Sequence, residues 1–582
     1  MVEVAEARAV TSRPWQAQYD PGVPVTLDYP AVRLDEVLHR AARRYPRRAA
    51  LIFFGRRTSY AALDQAVDRV ADNLQRLGLG PGERVALLMP NCPQLVVGFY
   101  GVWRAGCVAV PTNPRATGPE LSRYLADSGA AAALVLDRLW LRLADAKLPS
   151  SLRQLLVADA ADDLPLLLRI PLRLRTRVGW RRPPNRGDAG EEPPMTRFAD
   201  LLWGDLPVAA PRSDPDDPAV LLYTGGTTGV PKAAVLSHRN LVANACQLGS
   251  WASGLDDGAE VMLSALPLTH GYAMTSCMNV SVLRGWTQVL VPDPRDTERL
   301  LAEIERWHVT VFPGVPTLYA ALCAHPSVRS GRRLRSIEAC ISGAATLPNG
   351  TQAEFERLTG GRLVEGYGLT EASPATHCNP FGRANRSDTI GLPLPDTDCR
   401  LVDVETESHV VGPGEPGVLC VSGPQVMSGY WRRPEDTAQV LRIDADGRTW
   451  LHTGDVAEMS PDGYFRIVDR KKDVIVAAGG LKAYPNEIEE VLSTHPKVHL
   501  CAVIGVPPGE ADQRAKAFVV LRAGVSAEAQ ELVDFLGERL AAYKVPKAIE
   551  FRSELPLAFT GKVLRRLLSD QERAAAGGGE PR

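Results

Sequence analysis

Six consecutive positions, Thr224, Gly225, Gly226, Thr227, Thr228 and Gly229, hold three glycines and three threonines, and Lys232 follows after Val230 and Pro231. Glycines leave backbone N–H groups bare, threonines add hydroxyls, and the lysine adds a fixed positive charge. Together they can wrap a polyphosphate. The loop is not of the Walker A kind, because no glycine is followed by Lys-Ser/Thr and two residues part Gly229 from Lys232. The apolar run 219–222 before it reads as a buried strand. The chain from Leu236 onward reads as a helix with Ser237 or Asn240 near its start.

Further chemistry-bearing residues follow in order. Ser342, Gly343, Ala344 and Ala345 come after one apolar strand, and Glu365, Gly366, Tyr367, Gly368, Leu369, Thr370 and Glu371 come with another. Asp455 follows Gly454, and Asp469, Arg470, Lys471, Lys472 and Asp473 form a charged run. Gly479 and Gly480 come next, and Thr560, Gly561 and Lys562 stand near the end. His270 is a lone histidine in an apolar run, which suits either a core position or a group that can carry charge.

These residues need a frame to position them. Between about residues 34 and 136 helical and strand patterns alternate. Leu63, Val67, Val70, Leu74 and Leu77 mark one face of a helix over 60–77, Gly80, Pro81 and Gly82 break it, and a strand follows at 85–88. The alternation predicts an α/β fold of layered sheets with flanking helices. At 582 residues the chain exceeds a single core. A boundary near 468–473 leads into a compact α/β segment, so the expected domains are 1–468 and a smaller 469–568, with 569–582 a disordered tail.

Composition narrows the function. A hydrophobic share of 45% and a charged share of 23% are those of a globular protein, and a net charge of -2 gives no reason to expect nucleic acid. The ten cysteines show no zinc-ligand spacing and read as small buried hydrophobes in a reducing compartment. The opening residues are acidic where a signal peptide is basic, so a cytoplasmic location is expected. Residues 261–283 are uncharged but broken by Pro267, His270, Gly271 and Asn279, which predicts buried strand and loop rather than a membrane span. Residues 164–182 mix leucines with Arg169, Arg173, Arg175, Arg177, Arg181 and Arg182. That segment suits either peripheral contact with anionic lipid at the inner membrane face or an insertion packed on its own domain.

Taken in order, these motifs resemble the adenylate-forming superfamily of acyl-CoA synthetases, luciferases and peptide-synthetase adenylation domains, over about residues 34–568. Within it, 312–319, 363–367 and 423–431 look most like bacterial long-chain fatty-acid–CoA ligases. Two positions depart from that group: Thr269 stands where an aromatic residue is usual, and Leu481-Lys482 where Phe-Asn or a similar pair is common.

The resemblance implies an acid–thiol ligase that uses ATP, Mg²⁺ and coenzyme A. A carboxylate attacks the α-phosphate, pyrophosphate leaves, and the acyl-adenylate then passes its acyl group to a thiol. Two anions must meet, so cations and oriented donors gather at the α-phosphate. By resemblance Thr224 to Gly229 hold the β- and γ-phosphates, with Lys232 beside them, and Thr224 and Glu371 bind Mg²⁺. Thr370 touches the α-phosphate, and Gly343, Ala344 and Ala345 with Tyr367 flank the adenine. The surrounding Glu365, Gly366 and Gly368 complete that cofactor stretch.

Asp455, an acceptor only when ionised, fits the two ribose hydroxyls, and Arg470 reaches the same region. The resemblance makes Lys562 the adenylation catalyst and places His270 by the substrate carboxylate. It makes Lys472 the hinge, within 469–473, about which the small domain turns, and puts Gly479 and Gly480 along the thiol's path. The expected substrate is a medium- or long-chain fatty acid. The alternatives are an acyl-AMP ligase that loads a separate carrier protein, and a CoA ligase for an aryl or branched acid.

Overall fold

Strands that are apolar at every position form where both faces of a sheet are covered, and residues 132–136 and 219–222 are of that kind. The computed structural model describes residues 13–139, 142–143, 145–165, 169, 193–204, 214–224, 231–332, 334–382, 385–477, 481–507, 513–557 and 563–576. They pack as two units. One comprises Gln16–Asp398 and Ser422–Leu451; the other comprises Met1–Trp15, Cys399–Val421 and His452–Arg582.

The first unit is built on an eight-stranded sheet. Its order is Gly429–Tyr430, Lys232–Ser237, Pro218–Thr224, Val108–Pro111, Arg84–Leu88, Ala132–Leu136, Gln154–Ala158 and Met195–Arg197. The last six run parallel to one another, and the first two pair antiparallel. Helix Pro93–Arg104 lies buried between this sheet and helix Tyr60–Arg76. A Cβ on Gly98 would stand 2.7 Å from Leu134, and one on Gly101 2.6 Å from Val70, so small residues permit the close approach on both sides.

Two four-stranded sheets complete the unit. One has the order Val261–Ser264, Thr287–Leu290, Ala49–Phe53, Arg56–Ser59; the other has Ala339–Ser342, Arg362–Gly368, Ala375–Cys378, Leu392–Pro393. Val311 bridges Met262 on one side and Ala339 on the other, which joins the two sheets. Leu263, Leu300, Phe312, Tyr319 and Phe355 fill the core beside them.

In the second unit, strands Val498–Val506, Arg514–Leu521 and Ala548–Phe551 form a sheet covered on both faces. Ile488, Leu492, Val503, Ala517 and Leu532 pack on one side, and Ala502, Ile504, Phe518 and Leu568 on the other. Alternation along each strand sends neighbouring residues to opposite cores. The helix Arg565–Ala576 carries ordered chain past residue 568, because Leu568 is buried and the Gln, Glu, Arg and Ala that follow favour a helix.

Two expectations about the elements are corrected. The segment after the glycine-rich loop is first a strand, Lys232–Ser237, paired antiparallel with Pro218–Thr224, and only then a helix, His238–Trp251. The pairing with an existing edge outweighs the helix pattern from Leu236, while Ser237 and Asn240 do form the reciprocal cap that starts the helix. Residues 271–284 are helical rather than loop, with a π-helical turn over Met274–Asn279. Among the described residues no helix is long and apolar enough to cross a membrane, and the ten cysteines form no disulfide. Of the basic 164–182 stretch, 166–168 and 170–182 lie outside the described residues.

Tyr60 ties these layers together. Its buried hydroxyl lies 2.9 Å from the carbonyl of Ser281 and 2.7 Å from that of Trp286. Tyr60→Phe leaves both buried carbonyls without this donor, and a urea unfolding curve should show a loss of about 1–3 kcal/mol with little change in slope. An unchanged midpoint would show that the hydroxyl contributes nothing to stability.

Candidate active site

The described residues on either side of the glycine-rich loop belong to paired strands. Thr224 and Lys232 are cross-strand partners, and the Thr224 hydroxyl donates to the Lys232 carbonyl over 3.4 Å. Gly225, Gly226, Thr227, Thr228 and Gly229 lie outside the described residues. The Lys232 ammonium is ion-paired with Asp436 and sits 5.6 Å from the centre of the Tyr430 ring.

That tyrosine also reaches Glu371. Its hydroxyl donates to Glu371 Oε1 at 2.7 Å, and burial, reinforced by the nearby carboxylate, pushes the phenol's pKa well up, so it stays a neutral donor. The Glu371 carbonyl accepts from Met427 N–H at 2.8 Å, which fixes the short Thr370–Ala372 turn. This turn packs against strands Pro218–Thr224 and Lys232–Ser237. A hydroxyl at Thr224, a carboxylate at Glu371 and a cation at Lys232 thus occupy neighbouring elements at the end of one sheet. Hard oxygen donors of that kind suit Mg²⁺, which takes few protein ligands and keeps water or phosphate oxygens. Among the described residues no cluster of three or more His, Cys, Asp and Glu competes for a softer metal.

The expected adenine-side segments are held by backbone geometry. Ala344 adopts a left-handed conformation, φ 69°, which costs a non-glycine residue about 1–2 kcal/mol. Beside it Gly343 lies under the Tyr272 ring, where a Cβ would come within 3.1 Å. The Tyr272 hydroxyl donates to the Ile341 carbonyl at 2.7 Å. Gly368 is tighter still, because a Cβ there would stand 2.1 Å from the Pro374 carbonyl oxygen. Tyr367 packs edge-on against His377, whose burial pulls its pKa to about 3 and keeps it neutral. Glu365 turns inward: its Oε2 accepts from Leu347 N–H at 3.0 Å, which anchors the turn that contains Ala344 and Ala345.

His270 caps the helical turn that follows it, accepting from Tyr272 N–H at Nδ1 over 3.3 Å. The imidazole is solvent-accessible yet crowded by protein on most sides, and the resulting desolvation lowers its pKa. Gly271, next to it, lies against Leu222 of the central sheet. Asn91 holds the loop before the histidine, donating to the carbonyls of Ser264 and Leu266 and accepting from Leu268 N–H at 2.8 Å.

A cavity in the same unit is lined by apolar residues including Leu248, Leu255, Met262, Val280 and Trp286, with Ser276 its only polar side chain. Val280 of the uncharged 261–283 stretch lines it, whereas Leu263 belongs to the packed core. His238 is structural: it is buried, accepts from Leu34 N–H, and burial pulls its pKa to about 4.

In the second unit Asp455 is buried and faces Arg470 across paired strands, with Oδ1 2.9 Å from Nε. His452 is structural too, bonded through Nδ1 to Glu407 at 2.7 Å, and Lys471 pairs with the same glutamate. Lys472 is solvent-exposed. Gly479, Gly480 and Lys562 lie outside the described residues. Sequence reasoning did not single out Tyr430, Asp436 or Asn91. Tyr430 stands within the 423–431 stretch that carries the resemblance, but nothing local marks its hydroxyl as the partner of Glu371.

The sequence matches the AMP-binding enzyme family over residues 38–431 and the AMP-binding enzyme C-terminal domain over 487–562. The chain therefore belongs to the AMP-binding enzyme family. It is 41% identical to a long-chain-fatty-acid–CoA ligase of Bacillus subtilis, over 97% of this chain and 98% of that one. It is 38% identical to a feruloyl-CoA synthase of Amycolatopsis, over 90% and 96%. Its fold superposes on the ATP-bound crystal structure of MatB from Rhodopseudomonas palustris with a TM-score of 0.77 at 27% identity, covering 94% of this chain and all of that one. The protein is an adenylate-forming acid–CoA ligase that binds ATP.

Glu365 generates a pH test. Burial pushes its pKa to about 8, above the roughly 4.3 of an exposed glutamate, so the folded state favours the protonated acid. Its contribution is full below about pH 4 and is lost as pH rises through about 8, with a slope of at most about 1.4 kcal/mol per pH unit. Glu365→Gln mimics the protonated form and should flatten that slope in denaturant titrations from pH 4 to 9. Parallel wild-type and variant profiles would show that Glu365 does not titrate in this way.

Proposed function

We propose that the enzyme activates medium- to long-chain fatty acids with ATP and Mg²⁺ to acyl-AMP, releases pyrophosphate, and transfers the acyl group to coenzyme A. What carries the acyl class is the 41% identity, over nearly the whole chain, to a protein named a long-chain-fatty-acid–CoA ligase; the small apolar cavity, with no charged residue in its wall, is in keeping with it. The names of the long-chain relatives support the same class.

In this reading the Thr224 hydroxyl and the Glu371 carboxylate hold Mg²⁺, which neutralises phosphate charge. Thr370 meets the α-phosphate and the glycine-rich loop the outer phosphates. His270 accepts at Nδ1, so its proton sits on Nε2, where a neutral imidazole can donate to the substrate carboxylate. Asp455 and Arg470 take the ribose, and Lys562 serves adenylation. Lys472 is the hinge at the head of a small domain that begins at 469, and the glycines at 479–480 line the thiol's path. The enzyme works in the cytoplasm, with the basic 164–182 segment offering peripheral contact to an anionic membrane face.

An aryl acid is the second reading, favoured by the similarity to a feruloyl-CoA synthase and by Thr269 in place of an aromatic residue. Measuring kcat/KM from acetate to palmitate, with benzoate and ferulate, separates the two. Each buried CH₂ is worth about 0.8 kcal/mol, so kcat/KM should climb severalfold per carbon into the medium-chain range. A maximum at acetate or an aryl acid would overturn the fatty-acid reading. Omitting CoA in favour of a carrier protein tests the acceptor.

Lys562→Ala should lower pyrophosphate release from free acid by ~10²–10³-fold, the scale of removing one charge-stabilising donor. Acyl-AMP supplied ready-made should still be converted to acyl-CoA. Near-normal pyrophosphate release by this variant would contradict the assignment.

A further inference from the structure

A buried ion cluster gathers around Arg565, the first residue of the Arg565–Ala576 helix. The guanidinium grips Glu489 with two donors, Nε to Oε1 at 3.0 Å and Nη2 to Oε2 at 2.7 Å. Nη1 reaches Asp469 Oδ1 at 3.2 Å and stands 3.6 Å from Asp473 Oδ2, and Nη2 also donates to Asn486 Oδ1. Asp469 has no exposed side-chain surface, and its Oδ2 accepts from Asn486 N–H at 2.7 Å. Glu489 in turn accepts from Val503 N–H at 2.7 Å, on the sheet. One cation therefore serves three carboxylates, and burial pushes the Asp469 and Glu489 carboxyl pKa values up. Only a planar fork can satisfy two of them at once from one side chain.

The place of this cluster in the chain gives it a use. Leu557 and Val563 form an antiparallel bridge, and Leu564 N–H donates to the Pro556 carbonyl at 2.8 Å. These contacts form a paired base between the described residues that flank 558–562; Lys562 itself lies outside the described residues. Arg565 stands two residues beyond that base. At its other end the fork holds Asp469, the neighbour of Arg470, which pairs with Asp455.

We infer that Arg565 is a positioning residue for the adenylation step: its fork clamps the base of the Lys562 segment to the strand that ends at Asp469 and Arg470. The inference rests on the reading that Lys562 serves adenylation and not thiol transfer. A purely structural arginine would, when weakened, impair both half-reactions alike. A positioning arginine impairs the one that needs Lys562.

The test measures the two half-reactions separately, acid-dependent pyrophosphate release and conversion of supplied decanoyl-AMP to its CoA thioester. Arg565→Lys keeps the charge and loses the fork. Asn486→Ala removes one partner without stranding a charge, so it remains folded if the lysine variant does not. On protein with an intact thermal transition, Arg565→Lys should lower the first rate about 10–100-fold and leave the second within about twofold, as expected for a misplaced catalytic group, with Asn486→Ala shifting in the same direction by less. Equal losses in both half-reactions, or no loss in either, from an active wild type overturn the inference alone. A wild type that forms no acyl-adenylate from any acid overturns the proposed function and the inference together.

Discussion

Holding a carboxylate and an ammonium on neighbouring elements, without letting them pair with each other, is the constraint on which the site proposed in the first unit depends. Glu371 and Lys232 are such a pair, and Tyr430 is the side chain that meets both. Its hydroxyl occupies one Glu371 oxygen and its ring face lies near the Lys232 ammonium, which is drawn instead to Asp436. A direct Glu371–Lys232 bridge would leave neither group available to a metal–phosphate ligand. The tyrosine is placed by backbone: Gly429–Tyr430 pairs with the Lys232–Ser237 strand, and Tyr430 N–H donates to the Thr437 hydroxyl at 2.9 Å. The edge of the large sheet thus places Thr224, Lys232 and Tyr430 together, the residues on which the proposed phosphate site depends.

Rigidity elsewhere serves the same end. Gly368 passes so close to Pro374 that no side chain fits, Glu365 anchors the turn at Leu347, and Asn91 spends its whole amide on the loop that leads to His270. Each device fixes a segment by satisfying backbone groups rather than by contact with a ligand. Preorganised donors stabilise developing charge without reorganising at the moment of reaction, and fixing of this kind is what the proposed site calls for. The π-helical turn at Met274–Asn279 works differently: its wider winding brings Ser276 and Val280 onto the wall of the apolar cavity.

Much of this was legible in the residues themselves. The run 85–88, the helix face from Leu63 to Leu74 and the Ser237–Asn240 cap lie within a few residues of the signals that announce them, and the structure has them where those signals point. What was not legible depends on partners far away in the chain. The helix signal from Leu236 hides a strand, Lys232–Ser237, which forms because Pro218–Thr224 offers it an edge. Glu371 meets Tyr430 across 59 positions, and Arg565 meets Asp469 across 96, with no periodicity to signal either. Nothing in the basic run of Lys562, Arg565 and Arg566 signals that Arg565 is buried among carboxylates.

Adenylation requires attack by a carboxylate oxygen at the α-phosphate, and an isotope follows that oxygen directly. A fatty acid labelled with oxygen-18 in its carboxylate is turned over with ATP, Mg²⁺ and CoA, and the nucleotide product is weighed by mass spectrometry. If acyl-AMP forms and the thiol then attacks its carbonyl carbon, the bridging oxygen leaves with the nucleotide, and the AMP carries one labelled atom. Unlabelled AMP, or ADP with labelled inorganic phosphate, would contradict adenylation and with it the roles given to Glu371, Lys232 and Lys562.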